Sequence, residues 1–391
     1  MREDFLLLNP GPVPVARDVT KAMDRPMISR RSAEFGAVYE RVREGLEYVF
    51  EHSTPDGSRS PATGEALLLN GTATMALEAS IANLAADGSA VVLDNGAFGD
   101  RLRQIAELYA DVTAVTAEWG ESIDPAAVEG AVTDETDLVA MVHNETSTGL
   151  ANPVSTIGDI AADHDALFLV DGVSSVGGVE FRFDEWHVDV AVTDPQKALA
   201  SPPGISALFA SGAAIEAVDG RRSPFYLSLA DHLSAAEESR TPYTCASPLV
   251  RALEVALDRI EREGMADRIE RHRRYAASVR AGMEAMGLSP FAEPDHGATY
   301  SDTLSAIAFP DGADPEAFAR GMDERGVSVG GGIGHLDGEL FRVSNMGELT
   351  PDLIVRGVYS VGVALDEAGA DVDVEAGLRA TESIVRGERA P

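Results

Sequence analysis

The segment ALFLVDGVSSVGGVEFRFDEWHVDVAVTDPQKALASPPG, residues 166–204, contains two short apolar runs that each end in a polar residue. The runs ALFLVD and VDVAVTD have the aliphatic, β-branched composition of buried strands, and they end at Asp171 and Asp194. Parallel strands place their carboxyl ends at one edge of a sheet, which is where ligands bind in such folds. The segment therefore predicts an α/β fold with a functional site beside these two aspartates.

The same alternation of strand and helix patterns continues on both sides of this segment, from residue 66 to residue 211. Apolar runs alternate with amphipathic or alanine-rich stretches, as they do in βαβ units. The other strand candidates are ALLLN (from Ala66), AVVLDN (from Ala90), VTAVTA (from Val112), LVAMVHNE (from Leu138) and ISALFAS (from Ile205). The helix candidates between strands are residues 75–86, 100–109 and 155–164. We predict a mainly parallel seven-stranded sheet with helices on both faces.

Beyond this sheet the pattern changes. An Arg- and Glu-rich amphipathic stretch, residues 249–286, predicts one long helix with many i,i+4 charge pairs. From residue 291 the order is strand, helix, strand, strand, helix, and a last helix follows residue 368, which predicts a smaller C-terminal α+β domain. We divide the chain into an N-terminal segment (1–20), a large domain that contains the sheet (21–260) and a small C-terminal domain (261–391).

The charge balance excludes several classes of protein. Lys and Arg number 31 against 65 Asp and Glu, so the formal net charge is −34, and a polyanion such as nucleic acid is repelled. The acids are dispersed, as on a solvated surface, and a salt-rich cytoplasm is their expected cause. No signal peptide and no apolar run of about 18 residues are present, so we expect a soluble cytoplasmic protein that does not bind membranes.

Lysine is almost absent from this chain. The two lysines are Lys21, which we expect at an exposed helix position, and Lys197, which follows a strand end and precedes Pro202, Pro203 and Gly204. An amine in the crevice at the end of a sheet loses solvent, which lowers its pKa and makes it a nucleophile toward carbonyl groups. Because lysine is removed almost everywhere else, we predict that Lys197 is kept for its chemistry.

Asp171 is the second candidate for a chemical role. A carboxylate buried at a strand end needs a cationic or hydrogen-bonding partner, and a protonated pyridine nitrogen would serve. The alternative, that Asp171 only caps the following turn, has equal weight at this point.

Other motifs indicate no second chemistry. VGGGIGHLDG, from Val329, lacks the spacing of a dinucleotide site and predicts a tight turn between strands, and GVSSVGG lacks the GxSxG elbow of α/β-hydrolases. The eight histidines have no metal-ligand spacing, so we predict no metal site. The single Cys245 excludes an intrachain disulfide.

A combination of motifs carries a resemblance to a known family. In chain order they are NPGP, RPMISRRS, GTATMALEA, NGAFGDR, HNETSTG, VDGVSSVGG, PQKALASPPG, TPYT and FRVSNMG. From Leu8 to about Leu365 the chain resembles the class V, fold type I aminotransferases that use pyridoxal phosphate, specifically the alanine–glyoxylate and serine–pyruvate group. The resemblance implies the fold type I architecture, a homodimer with shared active sites, and pyridoxal 5'-phosphate as cofactor.

The resemblance also implies roles for individual residues. Lys197 becomes the Schiff-base lysine and the base that moves the substrate proton, and Asp171 becomes the partner of the pyridinium nitrogen. Phe98 matches the aromatic residue that stacks on the cofactor ring, Thr146 the hydroxyl near its phenolic oxygen, and Arg342 the arginine that binds the substrate carboxylate. The remaining matches are Gly11 beside the substrate, then Ala73, Thr74, Thr193 and Gln196 around the phosphate, and Thr241 and Thr244 reaching it from the neighbouring subunit.

The chain departs from the family pattern next to Lys197. Where the family often has Ser-Gly-Ser, this chain has Thr193, Asp194 and Pro195, which removes one hydroxyl and adds an acid close to the phosphate. Arg30 and Thr74 also replace histidines that occur in relatives. The resemblance therefore leaves open which groups complete the phosphate site.

These residues lead to one expected function and two alternatives. We expect transamination by two half-reactions in a ping-pong mechanism, from a small amino acid (alanine or serine) to a 2-oxo acid (glyoxylate or pyruvate). One alternative is a lyase of the same superfamily, a cysteine desulfurase or kynureninase. Desulfurases usually have His beside the lysine, whereas this chain has Gln196, and its one cysteine lies in TPYTCASP. The other is a non-catalytic binding or scaffold protein, which the joint presence of Lys197, Asp171 and Arg342 disfavours.

The charge balance gives a first testable prediction. Salt screens repulsion between the excess carboxylates, so we expect the melting temperature to fall when salt is lowered from molar to dilute concentrations. Thermal unfolding followed by circular dichroism across that range measures this. Equal melting temperatures would contradict the assignment to a salt-rich cytoplasm.

Overall fold

The computed structural model describes residues 5–219 and 224–387, and its centre is a seven-stranded sheet. The strands are β1 (Leu6–Leu8), β2 (Gly64–Leu69), β3 (Ser89–Asp94), β4 (Asp111–Thr116), β5 (Leu138–Val142), β6 (Asn144–Glu145), β7 (Leu150–Ala151), β8 (Leu167–Asp171), β9 (Val190–Thr193), β10 (Ser206–Ser211), β11 (Thr299–Tyr300), β12 (Leu304–Ala308), β13 (Val327–Gly331) and β14 (Leu340–Ser344). The helices are α1 (Arg17–Ala22), α2 (Ala33–His52), α3 (Ala73–Leu84), α4 (Ala97–Ala106), α5 (Pro125–Ala131), α6 (Val154–Asp163), α7 (Gly212–Asp219), α8 (Leu229–Ala236), α9 (Ser247–Glu263), α10 (Met265–Ala285), α11 (Pro315–Glu324), α12 (Pro351–Glu367) and α13 (Val374–Val385).

The strand order of the large sheet is β2-β10-β9-β8-β5-β3-β4. All neighbouring pairs are parallel except those of β10, which runs antiparallel to both β2 and β9. The predicted mainly parallel sheet of seven strands is confirmed, with ISALFAS as its antiparallel member. The central strands are buried on both faces, which explains their continuous apolar runs.

The register of this sheet brings the predicted site residues to one edge. Asp171 is the last residue of β8, opposite Val142 at the end of β5 and Val192 near the end of β9. Asp194 follows β9 directly, so the two aspartates lie at the ends of adjacent strands. The carboxyl edge of the sheet is therefore polar while its interior is apolar.

The prediction of a single helix over residues 249–286 is wrong, because the structure contains two helices there. Gly264, with φ 81° and ψ 138°, ends α9 and precedes α10. A residue with a side chain rarely adopts this left-handed φ, whereas glycine does so readily. The amphipathic pattern continues across the break, which is why periodicity alone joined the two helices.

The second sheet has the order β1-β13-β14-β12. The predicted sequence of strand, helix, strand, strand and helix is observed as β12, α11, β13, β14 and α12, and α13 supplies the last helix. The N-terminal strand β1 pairs in parallel with β13 and so joins this sheet. One apolar core runs from Phe35 to Ile269, and another unites Leu6 and Leu8 with residues 275–385. The domain boundaries at residues 20 and 260 stay a prediction.

Two smaller predictions are also confirmed. The segment VGGGIGHLDG turns between β13 and β14, and a Cβ on Gly332 would lie 1.8 Å from the Leu336 carbonyl oxygen, so the turn needs glycine there. Lys21 is exposed on α1. No helix in the described part of the chain is long and apolar enough to cross a membrane.

Candidate active site

Lys197 lies in the turn that follows β9, and its side chain is only 9% exposed. The turn is closed by hydrogen bonds from Lys197 N–H to the Asp194 carbonyl (3.2 Å) and from Ala200 N–H to the Lys197 carbonyl (2.9 Å). Burial and, to a smaller extent, the nearby Arg342 cation lower the pKa of the amine to about 8. The neutral amine is therefore a minor but accessible form near neutral pH, and it makes up half of the population at about pH 8.

The N-terminal segment packs against this amine through Gly11. A Cβ on Gly11 would lie 2.9 Å from Lys197 Cε and 3.0 Å from Nζ. Val13 N–H donates to the Gln196 carbonyl (3.2 Å), which fixes the segment beside the turn. Residue 11 must lack a side chain because the lysine occupies that space.

Asp171 is buried at the end of β8 and has a single hydrogen-bond donor. Its Oδ1 accepts from Val173 N–H (3.0 Å), so the turn-capping role considered from the sequence is real. Among the described residues no donor reaches Oδ2 and no cation lies within ion-pair distance. Burial raises the pKa of Asp171 to about 6, and the Glu145 carboxylate also raises it. The capped turn leaves one carboxylate oxygen free for a further partner.

Arg342 lies in β14 and is 8% exposed. Its Nε donates to the Gly331 carbonyl (2.9 Å) and its Nη1 to the Thr146 carbonyl (3.1 Å). No carboxylate of the described residues forms an ion pair with it, and burial lowers its pKa to about 10. Arg342 is therefore not a surface arginine.

Thr146 joins this arginine to the edge of the large sheet. Its hydroxyl lies 2.6 Å from the Ser174 hydroxyl, three residues beyond Asp171, while its carbonyl accepts from Arg342. The structure therefore brings Thr146, Asp171 and Arg342 to the same region, as the sequence predicted.

Phe98 lies in the first turn of α4 and is half-buried. The guanidinium carbon of Arg101 lies 4.9 Å from the centre of its ring, within cation–π distance. The Arg101 charge also lowers the pKa of Asp171 and of Lys197, so Arg101 is close enough to act on both groups.

Glu145 holds the start of α4 and was not among the predicted site residues. Its buried carboxylate accepts from the N–H groups of Phe98 (3.2 Å), Gly99 (3.1 Å) and Ser147 (3.0 Å), and from the Ser147 hydroxyl. A Cβ on Gly96 would lie 2.2 Å from Glu145 Cγ, which explains that glycine.

This capping corrects one helix boundary. The predicted start of α4 at residue 100 is wrong, since a carboxylate distant in sequence caps the helix at Ala97. The one signal available was the acid at the end of the apolar run LVAMVHNE.

The predicted phosphate-binding residues meet where α3 begins. The Ala73 N–H donates to Asp194 Oδ2 (3.2 Å), and Gln196 donates to Asp194 through its backbone N–H (3.2 Å) and through Nε2 (3.3 Å). Thr74 follows Ala73 in the first turn. The Thr193 hydroxyl is buried and has no partner among the described residues. The predicted phosphate donors Ala73 and Gln196 lie together, and the Asp194 carboxylate accepts hydrogen bonds from both.

Thr241 and Thr244 lie on a segment that packs against the end of β2 in the same chain. Thr241 Oγ1 donates to the Tyr243 carbonyl (2.7 Å), and the Thr244 carbonyl accepts from Asn70 Nδ2 (2.5 Å). Their reach into a neighbouring subunit stays a prediction.

Arg268 supports the lysine turn from α10, and no sequence pattern indicated this role. Its buried guanidinium donates to the carbonyls of Gly177 (2.7 Å) and Ala198, and it pairs with Glu263 (2.6 Å). The residue after Lys197 is thereby tied to a helix distant in sequence.

The described residues do not form the reactive thiolate of a desulfurase or a metal site. Cys245 is half-buried, and burial raises the pKa of its thiol, whereas a desulfurase needs a reactive thiolate. Within residues 5–219 and 224–387 no cluster of three or more His, Cys, Asp or Glu side chains is placed to hold a metal.

The residues present fit pyridoxal phosphate. The site contains a buried amine of lowered pKa, a buried carboxylate with one free oxygen and no cationic partner, and a helix N-terminus whose donors already bind an anionic group. A mainly parallel sheet carries these groups on its carboxyl edge. This combination defines a pyridoxal-phosphate enzyme of fold type I.

Comparison with known proteins gives the family. Residues 17–339 match the aminotransferase class-V model. The chain is 35% identical to an uncharacterized aminotransferase of Methanocaldococcus jannaschii over 98% of both chains. It is 32% identical to the L-aspartate–glyoxylate aminotransferase of Paracoccus denitrificans, covering 96% of this chain and 95% of that one. Among solved structures it is similar to ureidoglycine–glyoxylate aminotransferase of Bacillus subtilis, with a TM-score of 0.90, 27% identity and 99% of each chain covered. The chain belongs to the class V aminotransferases and is a pyridoxal-phosphate-dependent transaminase.

Removal of the Glu145 carboxylate tests its role at the start of α4. Glu145→Ala leaves several buried N–H groups without an acceptor, so we expect the free energy of unfolding to fall by about 3 kcal/mol. Denaturant unfolding measures this. Glu145→Gln keeps an acceptor oxygen and should lose clearly less; equal losses for the two variants would contradict the capping role.

The lowered pKa of Lys197 predicts how cofactor uptake depends on pH. Only the neutral amine attacks an aldehyde, so the rate at which cofactor-free protein takes up pyridoxal phosphate should rise with pH, with a midpoint near the pKa of about 8. Stopped-flow absorbance measures the rate, and borohydride reduction shows where the cofactor is attached. Lys197→Ala should retain no reduced cofactor, whereas the control Lys21→Ala should behave as wild type. Attachment in Lys197→Ala would contradict the assignment.

Proposed function

We propose that this enzyme transfers the amino group of alanine or serine to glyoxylate, as a homodimer with shared active sites in a salt-rich cytoplasm. When bound, pyridoxal phosphate supplies an aldehyde carbon that accepts the amino group and a ring that stabilises negative charge on the substrate. Lys197 would hold the aldehyde carbon, Asp171 the ring nitrogen, Phe98 the ring face, and the start of α3 the phosphate.

The observation that carries the proposal is the state of Arg342. Its guanidinium is buried and lacks a carboxylate partner among the described residues, while two backbone carbonyls hold it in place. A substrate carboxylate would supply the missing charge, and arginine binds carboxylates in two-point fashion. Amino donor and oxo acceptor each carry such a carboxylate, so one residue can serve both half-reactions.

Lys197 would move the proton. Its Nζ accepts a proton from the substrate's α-carbon when the amine is neutral, and the lowered pKa of about 8 makes that state accessible. Gly11 packs on the same side chain, which restricts its motion and excludes water from it. Asp171, as a carboxylate facing the ring nitrogen, would keep that nitrogen protonated.

The choice of substrates rests on two further points. Both the Paracoccus relative and the Bacillus structure have names that include glyoxylate, which supports glyoxylate as the acceptor. A small neutral donor is supported because Arg342 is the one buried arginine in the described site that lacks a carboxylate partner. The other buried arginines of the described residues, Arg251 and Arg268, are already paired with carboxylates.

A substrate panel tests this proposal directly. Alanine, serine and aspartate are each combined with glyoxylate, pyruvate and 2-oxoglutarate, and the oxo-acid product is measured, with sulfide release from cysteine as the control for a lyase. We expect the highest kcat/KM for alanine or serine with glyoxylate. Arg342→Ala should raise KM for every carboxylate substrate by about 100-fold or more, because the cation is buried.

The matched control is Arg259→Ala, which removes an exposed arginine paired with Asp18 and Glu348. It should leave KM unchanged. A dominant activity with aspartate would overturn the proposed donor, and an unchanged KM in Arg342→Ala would remove this arginine from the substrate site.

A further inference from the structure

Asp194 occupies the donors that the proposed function assigns to the cofactor phosphate. Its two carboxylate oxygens accept from the Ala73 N–H in the first turn of α3, and from both the backbone N–H and the side-chain amide of Gln196. Asp194 is only 2% exposed, so its carboxylate is shielded from bulk water. The start of α3 thus already holds an anionic group of this chain.

The surroundings of Asp194 favour this arrangement. The helix N-terminus stabilises negative charge, and α3 has no side-chain cap of its own from Thr72. Lys197, one turn away, contributes a favourable positive charge, while burial acts against ionisation. Asp194 therefore takes the place of the missing cap, although it is 121 residues from Ala73 in sequence.

A phosphate group and this carboxylate compete for the same hydrogen atoms. Each of these N–H groups points in one direction and satisfies one strong acceptor at a time. A phosphate with both anionic oxygens at these donors would also lie close to the carboxylate, in a buried place where repulsion between like charges is strong. A phosphate and the Asp194 carboxylate therefore cannot be bonded to these N–H groups at the same time.

We propose that Asp194 is a displaceable anion in the phosphate site, and that its displacement from Ala73 and Gln196 sets the affinity of this enzyme for pyridoxal phosphate. The inference rests on the proposed function, since that function places the phosphate at the start of α3. In the cofactor-free protein the carboxylate keeps the donors satisfied. It also excludes inorganic anions, which a salt-rich medium supplies in excess.

The test compares cofactor-free wild type with Asp194→Asn, which keeps the size of the side chain and removes its charge. We expect Asp194→Asn to lower the Kd of pyridoxal phosphate by about tenfold or more. Pyridoxal, which lacks the phosphate, should bind wild type and variant equally. Inorganic phosphate should compete with the cofactor more strongly in the variant than in wild type.

The chain offers a matched control at the other end of the same strand. Asp189 precedes β9, is half-buried, and accepts from Phe168 N–H (2.9 Å) and the Ser211 hydroxyl (2.6 Å). Asp189→Asn makes the same change of charge away from the carboxyl edge, so it should leave the Kd unchanged. Asp194→Gly, which removes the side chain, should tighten binding as well and serves if Asp194→Asn folds poorly.

The outcomes separate this inference from the proposed function. If Asp194→Asn and Asp194→Gly bind pyridoxal phosphate no more tightly than wild type, Asp194 is a permanent part of the site and the inference is wrong. The same holds if pyridoxal and its phosphate gain affinity equally, because the effect then does not come from the phosphate. Failure of wild type to retain the cofactor after borohydride reduction would instead overturn the proposed function.

Discussion

Removal of the Lys197 amine from water is the constraint on which the rest of the site depends. A buried ammonium is costly, so the pKa of the amine falls to about 8 and more of it is neutral, the form that reacts with a carbonyl, than in an exposed lysine. Three residues distant in sequence position this amine or act on its charge. Gly11 packs on the side chain, Arg268 ties down the next residue from α10, and the Arg342 cation makes a second positive charge unfavourable. Distant parts of the chain thus cooperate to lower one pKa.

Three of the buried carboxylates at this edge of the sheet, Glu145, Asp171 and Asp194, differ in how many donors they have, and this difference separates their roles. Glu145 accepts from three backbone N–H groups and a hydroxyl, so its charge is satisfied within the protein and it acts as a helix cap. Asp171 has one backbone donor and one free oxygen, so it can accept a charged ligand atom. Asp194 lies between these cases: it is well bonded, but to the donors that we propose for the cofactor phosphate.

The sequence was most informative where a property is local. Apolar runs predicted the strands, and the scarcity of lysine singled out Lys197. The family motifs identified Asp171 and Arg342, and the structure places these two residues in the same region. Helix ends were harder, because the start of α4 depends on Glu145, some 46 residues away, and the break at Gly264 leaves the amphipathic pattern intact. The hydrogen-bond partners of Arg268 and Asp194 could not be predicted for the same reason, because contacts between residues distant in sequence leave no periodic pattern.

The large negative charge of this protein and its binding of an anionic cofactor are compatible because the two act over different distances. Exposed carboxylates are screened over about 8 Å at physiological ionic strength and over about 3 Å at 1 M salt, so most of the surface charge is not felt inside the site. A buried carboxylate at hydrogen-bond distance is not screened in this way. In the proposed arrangement Asp194 would therefore affect phosphate binding more than the many surface acids do, because it is bonded to the same N–H groups of α3 and Gln196 that would hold the phosphate.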